Sequence, residues 1–162
     1  RRALDMDPNL ASAEVNLADI LRMQGREEDC RGVLIQALEQ HPNNPSLHHS
    51  LGLAWVRADN PEHALEHLAK AAAWDPSDPR LALVHGLCLE KLSRHDEAVF
   101  ALENALVANP GHGDLRAAVI DSLRALGRWD EALAHGQELL RRNPQDPGVL
   151  QLLEAIRQSS GR

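Results

Sequence analysis

A proline recurs at positions 8, 42, 76, 110 and 144, every 34 residues, in the contexts DMDP, EQHP, AWDP, VANP and RRNP. Five occurrences at one spacing confine the chain to a fold built from like units, each too small to bury its own apolar face and so stacked on its neighbours. Placing that Pro at position 32 of a unit divides the chain into full repeats 11–44, 45–78, 79–112 and 113–146. Residues 1–10 then read as the end of an earlier repeat, and 147–162 as a capping helix and tail.

Other positions follow the same register. Position 20 is Cys30, Ala64, Ala98 and Ala132; position 27 is Ala37, Ala71, Ala105 and Leu139; position 8 is Ala18, Gly52, Gly86 and Ile120. Large residues recur at positions 7 (Leu17, Leu51, His85, Val119), 11 (Leu21, Trp55, Leu89, Leu123) and 24 (Leu34, Leu68, Leu102). Small residues let two helix backbones approach, and large ones fill the space that remains. With aromatics at only 2% and Ala and Leu abundant, the chain reads as all-α. The fourth repeat inverts the size rule, with Ile120 at the Gly position and Gly136 at the Leu position, so a compensating contact between these two is expected.

Helix starts are marked independently. Asn44-Pro45, Asp78-Pro79 and Asp146-Pro147 set a capping side chain before a Pro in the first turn. Acids at Glu28, Glu62, Asp96 and Asp130 suit the positive ends of the second helices. Helices are predicted over 11–24, 28–40, 45–58, 62–74, 79–92, 96–108, 113–126, 130–142 and 147–158.

On these slots the chain resembles the tetratricopeptide repeat family, whose 34-residue pattern sets large, Leu, Gly, Tyr, Ala, Phe, Ala and Pro at fixed places. Departures are visible: the first large slot holds Glu14, His48, Ala82 and Arg116, and the Tyr slot is mostly Leu. The resemblance implies a right-handed superhelical solenoid of antiparallel helix pairs, with the first helix of each pair lining a concave groove. The groove candidates are Val15, Asp19 and Arg22, then His49, Leu53, Val56 and Arg57, then Leu83, Leu87 and Lys91, then Asp121 and Arg124. The middle of this set is apolar, as an interface patch is. Arg22, Arg57, Lys91 and Arg124 form a basic row suited to an acidic segment, although the helix dipole alone favours cations there. Two binding modes known in the family lack their residues here. The carboxylate clamp would need Lys where Val15, His49, Leu83 and Ala117 stand, and an Asn ladder would need more than Asn16, which Ser50, Val84 and Ala118 follow.

A net charge of −7 argues against nucleic-acid or anionic-membrane partners. No catalytic or phosphate-binding motif occurs and no cofactor is implied. Cys30 and Cys88 fit buried small hydrophobes. His63 and His67 share a helix face but lack a third metal ligand and are expected on the convex, solvent side. His85, in a core Leu slot, reads as a packing residue.

The reading that results is a non-enzymatic scaffold that binds a protein or peptide in the groove. Two alternatives stand beside it. The runs VNLADILR and LHHSLGLAWVR are similar to repeat tails following multihaem cytochrome c domains in some bacterial proteins, which would make the chain an accessory tail of an exported redox protein, although it has no C-x-x-C-H. The first repeat, lacking a helix before it, is also expected to expose apolar surface through which the chain could dimerise, as a fragment of a longer protein would.

Overall fold

The computed structural model describes residues 8–161, and the expected repeat remnant lies for residues 1–7 outside them. The described residues form nine α-helices and no strand: α1 Pro8–Met23, α2 Glu27–Gln40, α3 Pro45–Arg57, α4 Pro61–Trp74, α5 Pro79–Lys91, α6 His95–Ala108, α7 Gly113–Ala125, α8 Trp129–Arg142 and α9 Pro147–Ser159. Two compact bodies result, one ending at Asp75 and the other beginning at Pro76. In each body consecutive helices pack on one another, and first helices of successive repeats also touch, α1 with α3 and α5 with α7. Predicted and observed boundaries agree within one residue except at α1, which starts three residues early on Pro8, a residue that suits the first turn of a helix.

The 34-residue period has a local cause. First helices α3, α5 and α7 have 13 residues and second helices α4, α6 and α8 have 14. The turns between them are equally regular. At the first, residues Gly25, Asp59, Ser93 and Gly127 share one register position, and all have positive φ, between 54° and 73°. Each N–H of the following residue reaches back to a carbonyl five residues earlier (Arg26 to Leu21, Asn60 to Trp55, Arg94 to Leu89, Arg128 to Leu123), closing a left-handed helix cap four times over. At the second turn Asn44, Asp78, His112 and Asp146 each accept a backbone N–H at the start of the next helix, His112 through its ring Nδ1.

The size code is obeyed in the cores. Cys30, Ala64, Ala98 and Ala132 are buried, as are Leu34, Leu68 and Leu102. A Cβ added at Gly52 would sit 2.6 Å from Leu68 Cδ2, and one at Gly86 2.5 Å from Leu102 Cδ2, so each glycine is the seat of the Leu on its partner helix. In the fourth repeat the expected Ile120–Gly136 exchange takes another form. Ile120 is fully buried, but the space beside Gly136 is taken by Leu153 of α9, whose Cδ2 lies 2.5 Å from the added Cβ, and no Ile120 atom comes within 4 Å of it. Helix α9, which follows the fourth repeat, supplies the missing bulk.

Leu17 departs from its expected core role. It is 46% exposed, with Ile20 at 52% and Met23 at 78% on the same side of α1, because no described helix precedes α1.

Candidate protein-binding face

In the first body the groove candidates of α1 and α3 converge. Ala18, Asp19 and Arg22 of α1, Cys30 and Leu34 of α2, and Ser50, Leu53 and Arg57 of α3 line one cavity of about 280 Å³. Its deep side is the buried Ala18, Cys30 and Leu34, and its rim is Asp19, Arg22 and Arg57. Burial pushes the Cys30 thiol up, opposed chiefly by the charge of Arg57, so this cysteine lies in the cavity as a neutral, apolar-like group. Val15, His49 and Val56, the other candidates on α1 and α3, are half-buried and do not line it.

In the second body Leu83 is half-buried and Leu87 is 47% exposed on α5, with Lys91 exposed at its end. Asp121 is exposed and Arg124 half-buried on α7. The two helices are joined by Ser122, fully buried, which donates its hydroxyl to Glu90.

The basic row is neutralised from within. Arg22 pairs with Asp19 at 3.2 Å, Arg124 with Asp121 at 3.1 Å, and Arg57 forks onto Glu27 at 3.0–3.2 Å. The expected cationic edge is thus a charge-balanced one at these three residues. The i,i+3 spacing that puts both members of the first two pairs on one helix face was available in the sequence. Glu27 and Arg57, 30 residues apart, carried no such signal, and neither did the contribution of Cys30 and Ser50 to the cavity.

Of the two histidines expected on the solvent side, one is there and one is not. His63 is exposed, bonded to Asn60 and stacked on Trp55 with ring centres 5.1 Å apart. His67, expected on the solvent side, is half-buried and meets His48. Among the described residues no three His, Cys, Asp or Glu side chains are grouped to hold a metal ion, and no helix is long and apolar enough to cross a membrane.

Stacked antiparallel helix pairs in 34-residue register, with first helices in contact within each body, define a helical-repeat scaffold. The chain matches the tetratricopeptide repeat family over residues 50–113 and again over 89–156, and it belongs to that family. Members of this family are protein-interaction scaffolds. Its fold is similar to that of MamA, at 19% identity, a TM-score of 0.79, and coverage of 89% of this chain and 84% of MamA. It also resembles PilF of Pseudomonas aeruginosa, at 22% identity and a TM-score of 0.73 over 92% of this chain and 68% of PilF. A tetratricopeptide repeat protein of Parabacteroides merdae is 18% identical with a TM-score of 0.75, over 98% of this chain and 62% of that one.

Proposed function

We propose that the chain is a non-catalytic scaffold that docks a protein segment on the faces formed by α1 with α3 and by α5 with α7. The cavity between α1 and α3 carries this reading. It offers a pocket with an apolar floor of Ala18, Cys30 and Leu34, large enough for one or two side chains, inside a rim whose charges are ion-paired, Arg22 with Asp19 and Arg57 with Glu27. A balanced rim favours an apolar anchor flanked by polar contacts over a strongly acidic ligand. Leu53 in the α1–α3 cavity and Leu87 on α5 are the apolar anchors, one in each body. Affinity capture comparing wild type with the Leu53→Glu/Leu87→Glu variant tests it, with helicity by circular dichroism as the folding control. Partners lost by a folded variant support the face; an unchanged set of partners removes it.

A second reading, self-association, is favoured by the exposed Leu17, Ile20 and Met23 on α1. Light scattering on wild type and Ile20→Glu distinguishes it: a dimer dissolved by Ile20→Glu supports this reading, and a monomer in both discards it.

A further inference from the structure

Position 4 of the second repeat holds His48, which is only 4% exposed. Its Nε2 lies 2.9 Å from the carbonyl oxygen of Pro42, in the turn before α3, and its Nδ1 lies 3.0 Å from Nδ1 of His67 on α4. One side chain therefore ties α3 both to α4 and to the turn between repeats. We propose that the His48–His67 pair is a pH-sensitive latch of the first body, closed while at most one of the two rings carries an added proton and opened when both do.

The proton count follows from the partners. A carbonyl oxygen only accepts, so Nε2 of His48 bears a hydrogen, and neutral His48 then has a lone pair at Nδ1. The 3.0 Å contact requires the hydrogen on Nδ1 of His67. One added proton goes to Nε2 of His67 and disturbs neither bond. A second must go to Nδ1 of His48, which sets two N–H groups face to face.

The fourth repeat has the same crossing with different chemistry. Arg116, the register equivalent of His48, donates to the Pro110 carbonyl at 2.8 Å and lies 3.3 Å from Nδ1 of His135, the equivalent of His67. His135 in turn lies 3.3 Å from Glu103 through Nε2. Here a permanent cation is balanced by a carboxylate. The register equivalent of Glu103 in the first body is Ile35, so the histidine pair has no such carboxylate.

The other charges do not replace it. On α4, Lys70 and His63 oppose protonation of His67, and Glu66, which favours it, is held by Lys70 at 2.6 Å. The α2 end carries Glu39 and the buried His41, α3 adds His49, and α1 adds Glu14. Burial first, and the His48 charge second, hold His67 below the usual histidine range. The repulsion between the two charged rings makes the second proton the harder to bind, so the latch stabilises the first body above about pH 6.5, the unfolded histidine value, and this is lost progressively as the pH falls below it.

Hydrogen exchange on the full chain at about pH 7.5 and about pH 5, corrected for the intrinsic rate, tests the latch, because histidine is the side chain that titrates between them. In a His85→Leu background, which removes the depressed histidine of the second body, protection of α3 and α4 is expected to fall on acidification by roughly tenfold per unit of pKa depression while α7 and α8 hold theirs. Ile35→Glu, an exposed site, is expected to reduce that fall, and His48→Arg/Ile35→Glu, which copies the fourth-repeat chemistry, to abolish it. Nitrogen NMR above pH 7 is expected to find the hydrogen on Nδ1 of His67 and on Nε2 of His48. Equal loss in both bodies, a fall unaltered by Ile35→Glu, or Nε2–H on both rings overturns the proposal.

Discussion

Glu27, in the first turn of α2, grips Arg57, at the end of α3, through both carboxylate oxygens, and so fixes one wall of the α1–α3 cavity. Each side chain is about one-third exposed, 34% for Arg57 and 35% for Glu27. The bridge positions more than it stabilises. Glu27→Gln is expected to lower unfolding free energy in urea by less than about 1 kcal/mol, since partly exposed pairs contribute little. A loss well above that would mean the pair is effectively desolvated.

Glycines in these helices have opposite roles that alanine substitution separates. Gly86→Ala would drive a methyl group into Leu102, which is fully buried and has no room to yield. Overpacking should outweigh the better helix propensity of Ala and cost roughly 1–3 kcal/mol. Gly32, inside α2, has nothing within 4 Å of an added Cβ, so Gly32→Ala should stabilise by about 0.5–1 kcal/mol. Thermal unfolding of the two variants should move in opposite directions.

The first turn of each repeat makes a second signed pair. Ser93 adopts φ of 58° where the equivalent positions of the first and fourth repeats use Gly25 and Gly127. Relieving that left-handed strain with Ser93→Gly should stabilise by up to about 1 kcal/mol, and Gly127→Ala should destabilise by about 1–2 kcal/mol. Chemical denaturation of both variants checks the pair, and equal signs would mean the strain is relieved in some other way.

Why the helices were legible and the face only partly so is visible in these residues. Proline and Asn or Asp act on their immediate neighbours, so Asn44-Pro45 and Asp78-Pro79 announce α3 and α5 from four residues of sequence. The left-handed turn was half visible, because Gly25 and Gly127 advertise it and Asp59 and Ser93 do not. Register alone placed the groove candidates, and four of them, Asp19, Arg22, Leu53 and Arg57, line the α1–α3 cavity. Charge balance did not follow, because Glu27 reaches Arg57 across 30 residues of chain. Nor did the meeting of His48 with His67, since each alone fits a surface or packing histidine and only the helix crossing brings their Nδ1 atoms to 3.0 Å.

His85 gives a pH prediction independent of the latch. It occupies the slot that Leu51 and Val119 fill with fully buried hydrophobes, and it is itself half-buried. Burial first and the charge of Arg94 second hold it below the usual histidine range, with Glu97 opposing them. The folded body therefore favours the neutral ring, while the unfolded chain takes up a proton near pH 6.5, so the stabilisation is present above about that pH and is lost below it. His85→Leu removes the titrating group and adds apolar burial, worth about 1 kcal/mol for a partly buried side chain. Urea denaturation of wild type and His85→Leu across about pH 5 to about pH 7.5 should show the variant more stable throughout, with its advantage growing as the pH falls. A constant difference would mean that His85 keeps one protonation state across that range, and a variant less stable at neutral pH would mean that the ring makes a polar contact that Leu cannot replace.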